Sequence, residues 1–230
     1  MIVCMILATL GAKAQMNNPY VDDKIVHFGF SLGMNFMTYG ITDSEEMIDG
    51  EIYHARVSTL MPGFQVGFIT DVRICRYLNL RFTPGLEFSS RTITYKTESG
   101  NEVKSPNFGK RIDVLSIPIT IPLYLKFSAQ RERNFRPYVI FGGGASYNVS
   151  RDREKPILNQ PWDYFVSVGA GVDLYLRWFK LCPEIKYQIG FADQLTPVEE
   201  RPELAIHDQF YTRALKRLTT RMLTITFNFE

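Results

Sequence analysis

Apolar residues alternate with small or polar ones along most of this chain, and a period of two is the signature of strands whose faces meet different surroundings. From Phe28 to Phe36, the apolar set Phe28, Phe30, Leu32, Met34 and Phe36 is separated by Gly29, Ser31, Gly33 and Asn35. Phe64, Val66 and Phe68 alternate with Gln65 and Gly67. Leu78, Leu80, Phe82, Leu86 and Phe88 alternate with Asn79, Arg81, Thr83, Gly85 and Glu87. A long run places Leu115, Ile117, Ile119, Ile121, Leu123, Leu125 and Phe127 against Ser116, Thr120, Tyr124 and Lys126. Val139, Phe141, Ala145, Tyr147 and Val149 then alternate with Gly142, Gly144, Ser146 and Asn148. Trp162, Tyr164, Val166, Val168, Ala170, Val172, Leu174 and Leu176 alternate with Asp163, Ser167, Gly169, Gly171 and Asp173. Phe179, Leu181, Ile185, Tyr187, Ile189 and Phe191 face away from Lys180, Cys182, Glu184, Lys186 and Gln188. The last run sets Leu223, Ile225, Phe227 and Phe229 against Thr224, Thr226 and Asn228.

The runs predict about eight strands, each long enough to cross a bilayer at a tilt. A soluble sandwich also alternates, but with shorter strands and a second face rich in charge. Here the second face is Gly, Ser, Thr, Asn and a few ionisable groups, which the narrow interior of a small barrel holds. The expected fold is all-β, an antiparallel up-and-down transmembrane β-barrel of about eight strands. Its lumen is expected to be filled by side chains, so no pore is expected.

Connection lengths give an orientation. Short turns near Ile74–Arg76, Ala129–Phe135 and Arg177–Lys180 alternate with long polar segments at Thr42–Thr59, Thr97–Lys110, Arg151–Pro161 and Asp193–Arg213. Outer-membrane barrels place short turns in the periplasm and long loops outside. Both termini are then expected in the periplasm. The uncharged stretch Val114–Leu125 is too short for a membrane helix and contains Pro118 and Pro122.

Composition changes this picture little. The 230 residues fit one domain, and a net charge of +2 argues against a nucleic-acid partner. Residues 1–14 read as a signal peptide, with an apolar run from Ile2 to Leu10 and the small-x-small site Ala12-Lys13-Ala14. The basic n-region is missing, so a truncated start or a short buried strand is the competing account. Residues 15–230 form the barrel domain. Cys4 would leave with the signal, and Cys75 and Cys182 are expected to be free thiols.

Against this frame, the first strand and its lead-in resemble the PorT family of the Bacteroidetes. The residues are Asp22-Asp23-Lys24 and Val26-His27-Phe28-Gly29-Phe30-Ser31-Leu32-Gly33-Met34-Asn35-Phe36. Pro118-Ile119, Pro122-Leu123-Tyr124-Leu125-Lys126, Arg136-Pro137-Tyr138 and the Gly142–Tyr147 segment fit as well. The resemblance implies a component of the type IX secretion system, which exports proteins bearing a conserved C-terminal domain and is linked to gliding in some relatives. The implied partners are other components of that system, with outer-membrane lipid around the barrel. The resemblance carries no catalytic residues.

The most informative side chains are the inward charges Arg81, Glu87, Lys126, Asp173, Glu184 and Lys186. Charges in a narrow lumen need partners, so an internal ion network is expected. Counting back from the turn near Arg177 sets Asp173 beside Glu184, with Arg81 bridging both and Lys186 or Lys126 as the second cation. A binding or gating role is the sharper alternative, and a catalytic carboxylate pair lacks a nucleophile or cleft. No cofactor and no metal are expected: His27, His54 and His207 are scattered, and Gly142-Gly143-Gly144 precedes no helix that would aim amides at a phosphate. Those glycines are expected to make room for bulky groups across the lumen. The charges of the loop Thr196–Arg217 read as a solvated face or a docking surface. The arginines of the short turns (Arg73, Arg76, Arg131, Arg133, Arg136) suit lipid phosphates or periplasmic partners. The expected function is non-enzymatic, with a free-standing structural or adhesive barrel and a lipid-modifying barrel enzyme as alternatives.

Overall fold

The computed structural model describes residues 17, 20–44, 53–97, 112–150, 157–201 and 209–230. The expected signal segment 1–14 with Cys4, most of the loop Thr97–Lys110, Glu203 and His207 lie outside the described residues. The strands are β1 (Val26–Asp43), β2 (Tyr53–Leu60), β3 (Pro62–Arg73), β4 (Leu78–Phe82), β5 (Gly85–Thr97), β6 (Ile112–Ser116), β7 (Pro118–Ser128), β8 (Phe135–Asn148), β9 (Trp162–Tyr175), β10 (Lys180–Gly190) and β11 (Leu215–Phe229). Three crossings are broken in two, β2 from β3 at Met61, β4 from β5 at Thr83-Pro84, and β6 from β7 at Ile117. Pro62, Pro84 and Pro118 stand at those breaks. Proline has no N–H to give the ladder, so each interrupts pairing without turning the chain back.

Eight crossings result, and they close on themselves. Strand β1 pairs with β11 on one side and with β3 on the other. Between those, β3–β4, β4–β7, β7–β8, β8–β9, β9–β10 and β10–β11 are all antiparallel. The closed ring of β1, β3, β4, β7, β8, β9, β10 and β11 has no edge, which is the condition for β-structure in lipid, while β2 and β6, beyond that ring, pair among the described residues only with β5.

The faces are inverted relative to a soluble domain. Phe28 is 73% exposed and Val168 55%, whereas Arg81, Lys126 and Asp173 are each 1% exposed. A continuous outward belt of Phe, Leu, Ile and Val is stable only against hydrocarbon. The two tryptophans mark its limits: Trp162 opens β9 beside the long loops, and Trp178 sits in the short turn before β10.

Beyond the belt on the long-loop side, the barrel continues as a wall in water, and its apolar phase reverses. On β5, Leu86 and Phe88 belong to the outward set, but Ile93 and Tyr95 are buried inside. These join Tyr39, Ala55, Ile112, Val114, Ile157, Tyr211, Ala214, Leu215 and Leu218 in one apolar core. A short helix, Gln209–Arg213, supplies Tyr211, whose carbonyl accepts from the Tyr95 hydroxyl at 2.9 Å. This corrects the expected loop Thr42–Thr59, because residues 53–60 form β2, paired with β5. An outward apolar pattern cannot reveal a strand segment whose outer face meets water.

The glycines of β8 need a second correction. Gly142 pairs with Tyr124 of the neighbouring strand, and a Cβ on Gly142 would lie 2.7 Å from the Tyr124 ring. A Cβ on Gly144 would lie 2.7 Å from Pro122 Cα. The room is taken by the adjacent strand β7, not by groups across the lumen. Gly142→Ala should destabilise the barrel by about 1–3 kcal/mol through overpacking, read as a lower urea midpoint in lipid vesicles. An unchanged midpoint would mean that β7 shifts freely, contrary to this packing.

Candidate functional site

The lumen holds a connected ion network at the short-turn end. Arg81 of β4 faces Asp71 of β3 in register, and its Nε donates to Asp71 Oδ2 at 2.9 Å. Its Nη1 reaches Glu184 of β10 at 3.3 Å, and its Nη2 reaches Glu230 just past β11. Lys186 Nζ lies 3.0 Å from the other oxygen of Glu184, and Tyr138 Oη donates to Glu184 at 2.8 Å. Lys126 Nζ donates to both oxygens of Asp173 at 2.8 and 2.9 Å, and Lys180 pairs with Glu230. Four cations thus meet four acids: Arg81, Lys126, Lys180 and Lys186 with Asp71, Asp173, Glu184 and Glu230. Tyr138 sits among them, its ring centroid 4.0 Å from Lys126 Nζ. The planar Arg81 fork serves three carboxylates at once, which a lysine ammonium on a single stem does less well.

All six expected residues point inward, but they do not form the expected set of pairs. Glu184 pairs with Gly171, not Asp173, across the β9–β10 ladder, so Asp173 stands one inward step away. Arg81 therefore bridges Glu184 to Asp71 and Glu230, and Asp173 is served by Lys126. Glu87 stands apart, with Oε2 buried and without a hydrogen bond. Cavities of about 30 and 20 Å³ flank it, each near the size of one water. Above it Arg91 lies 3.8 Å from the Tyr39 ring centroid. Asp71, Lys180 and Glu230 were missed, although parity contained them: Asp71 continues Gln65 and Gly67, Lys180 precedes Cys182, and Glu230 continues Thr226 and Asn228.

Among the described residues, packed side chains lie across both ends of the lumen. The apolar core covers the long-loop end. At the other end, the lead-in Val21–Asp23 is held beneath the barrel through Asp22. The Asp22 carboxylate accepts from the Tyr175 hydroxyl at 2.7 Å and from Arg131 at 3.2 Å, with Arg136 at 3.5 Å. Arg73 donates to the Asp22 carbonyl at 2.6 Å. Three of the turn arginines are thus committed to the protein itself, while Arg76 lies over the Tyr77 ring. Arg201, expected on a solvated face, is 1% exposed. His54 pairs with Asp43 at 3.0 Å, His27 is buried at the rim, and Cys75 and Cys182 are free thiols.

Among the described residues no cluster of His, Cys, Asp and Glu is arranged to hold a metal ion. The arrangement is a charge-balanced plug that ties β3, β4, β7, β8, β9 and β10 to one another and to Glu230 after β11.

No curated protein matches the chain in sequence. A solved structure, the outer membrane protein OprG from Pseudomonas aeruginosa, is similar at 12% identity and a TM-score of 0.45, over 89% of this chain and 91% of that one. The family model described as outer membrane protein beta-barrel domain matches residues 13–195. Together with the closed ring, the lipid-facing belt and the polar lumen, that match makes this chain a member of the outer membrane protein beta-barrel domain family, a protein of the outer membrane.

Proposed function

We propose that the chain is a non-enzymatic subunit of the type IX secretion system, acting through contacts of its loops and its short-turn rim with other components of that system. The narrower reading comes from the PorT-like lead-in and first strand, Asp22 to Phe36, and from Pro118–Lys126. The observation that carries it furthest is the filled lumen. A barrel closed by an apolar core at one mouth and by Asp22 at the other is suited to contact other proteins, not to pass solute. Within this reading the termini and short turns face the periplasm, the surrounding lipid is that of the outer membrane, and nucleic acid is not a partner.

Deletion of the gene should abolish secretion of proteins bearing the C-terminal sorting domain, and gliding where the cell glides. An intact secretome would favour a free-standing structural or adhesive barrel, and altered lipid A by mass spectrometry would favour a lipid-modifying enzyme. For orientation, protease added to intact cells should cut within Asp193–Arg213 and leave the turns at Ile74 and Arg177 whole. Cuts confined to those turns would reverse the barrel.

A further inference from the structure

We infer that the short-turn rim carries a specific binding site for one glycerophospholipid of the adjoining leaflet. A groove of about 610 Å³ opens where the lead-in, β1 and the β9–β10 turn meet. That volume lies within the roughly 300–1,000 Å³ of small-molecule sites. Tyr20, Phe28, Trp178 and Phe179 form its apolar walls, with Lys24 and His27 between them.

Three observations name the occupant. The first is position: Phe28 belongs to the lipid-facing belt, and Trp178 stands at its limit, so the groove lies at headgroup level. The second is charge. Lys24, in the lining, is exposed and forms no ion pair among the described residues, and Arg177, next to the lining residue Trp178 but not itself in the lining, lies over the Trp178 ring at 5.6 Å. The acid lining the groove, Glu230, is neutralised by Lys180 and Arg81. Asp23, beside Lys24, is 3.7 Å from Arg73. The groove therefore presents unspent positive charge, which suits a phosphodiester.

The third is continuity with hydrocarbon. The Phe179 ring lies tilted against Phe229 at 5.9 Å, and Phe229 stacks on Phe30 at 4.8 Å. The groove thus opens onto the lipid-facing belt at Phe28, where an acyl chain would leave it. The phosphate would sit at Lys24 and Arg177, and the first methylenes between Phe28 and Phe179. Trp178, 84% exposed without such a ligand, would be covered.

The inference needs only a barrel in a bilayer, so it stands or falls separately from the secretion reading. The test is native mass spectrometry of the full barrel, released from nanodiscs, with phosphatidylglycerol or diacylglycerol as probe. One phosphatidylglycerol should remain bound where diacylglycerol does not. Lys24→Glu with Arg177→Glu should lower retention by about tenfold or more. Trp178→Ala, which leaves every charge in place, should also lower it. Lys96→Glu at the opposite end should leave retention unchanged, and heat-modifiable gel migration would report that each variant is folded. Equal retention of diacylglycerol, no retained lipid, or retention unaffected by both groove variants would each overturn the site.

Discussion

Arg81→Ala should destabilise the barrel by about 3–5 kcal/mol, the cost of leaving buried charge without its partner. The cost is large because three acids lose one cation together. Among the described residues, Asp71 would keep only Asn79 as a side-chain donor, and Glu230 would keep only Lys180. Glu184 suffers least, because Lys186 and Tyr138 still serve it. The compensating change is therefore specific. Adding Asp71→Asn and Glu230→Gln to Arg81→Ala should recover much of the loss, whereas adding Glu184→Gln alone should not. Arg81→Lys should fall between, since an ammonium cannot span three carboxylates. Equilibrium urea unfolding in vesicles measures all four variants. A loss below about 1 kcal/mol for Arg81→Ala would place the network in contact with water and remove its structural role.

Val168→Arg should cost about 2–4 kcal/mol, because Val168 faces lipid near the middle of β9. Its ladder neighbours, Phe141 and Tyr187, are exposed on the same face. The penalty depends on depth, so Val149→Arg at the long-loop limit of the belt should cost only about 0–1 kcal/mol. The inward neighbour gives the contrast. Ser167 is 1% exposed, and an arginine there would fail by crowding, with no relation to depth. Equal costs at Val168 and Val149 in the same unfolding assay would contradict the placement of the bilayer.

The alternation by itself determined the fold class, the number of crossings and the face on which each residue of the lipid-spanning runs lies. It could do so because a side chain on a strand has only two directions, and lipid and lumen select opposite chemistry on each. A one-residue slip would turn a whole set over, so residues such as Val166, Val168 and Ile185 are fixed outward by the same pattern that fixes Asp173 and Glu184 inward.

Which inward charges meet was decided only by tertiary structure. Parity fixes a direction, while pairing depends on strand register and on barrel closure, which brings Glu230 after the last strand to Arg81 on the third crossing. The register of β9 on β10, offset from the simple count, moved Asp173 from Arg81 to Lys126. The same limit hid the outer wall. Where the barrel leaves the bilayer, the solvent outside changes from hydrocarbon to water, so Ile93, Tyr95 and Leu218 turn the apolar set inward with no change in backbone parity. A strand that reverses its chemistry partway reads in sequence as a strand followed by a loop, and only the closed wall around the apolar core joins the two.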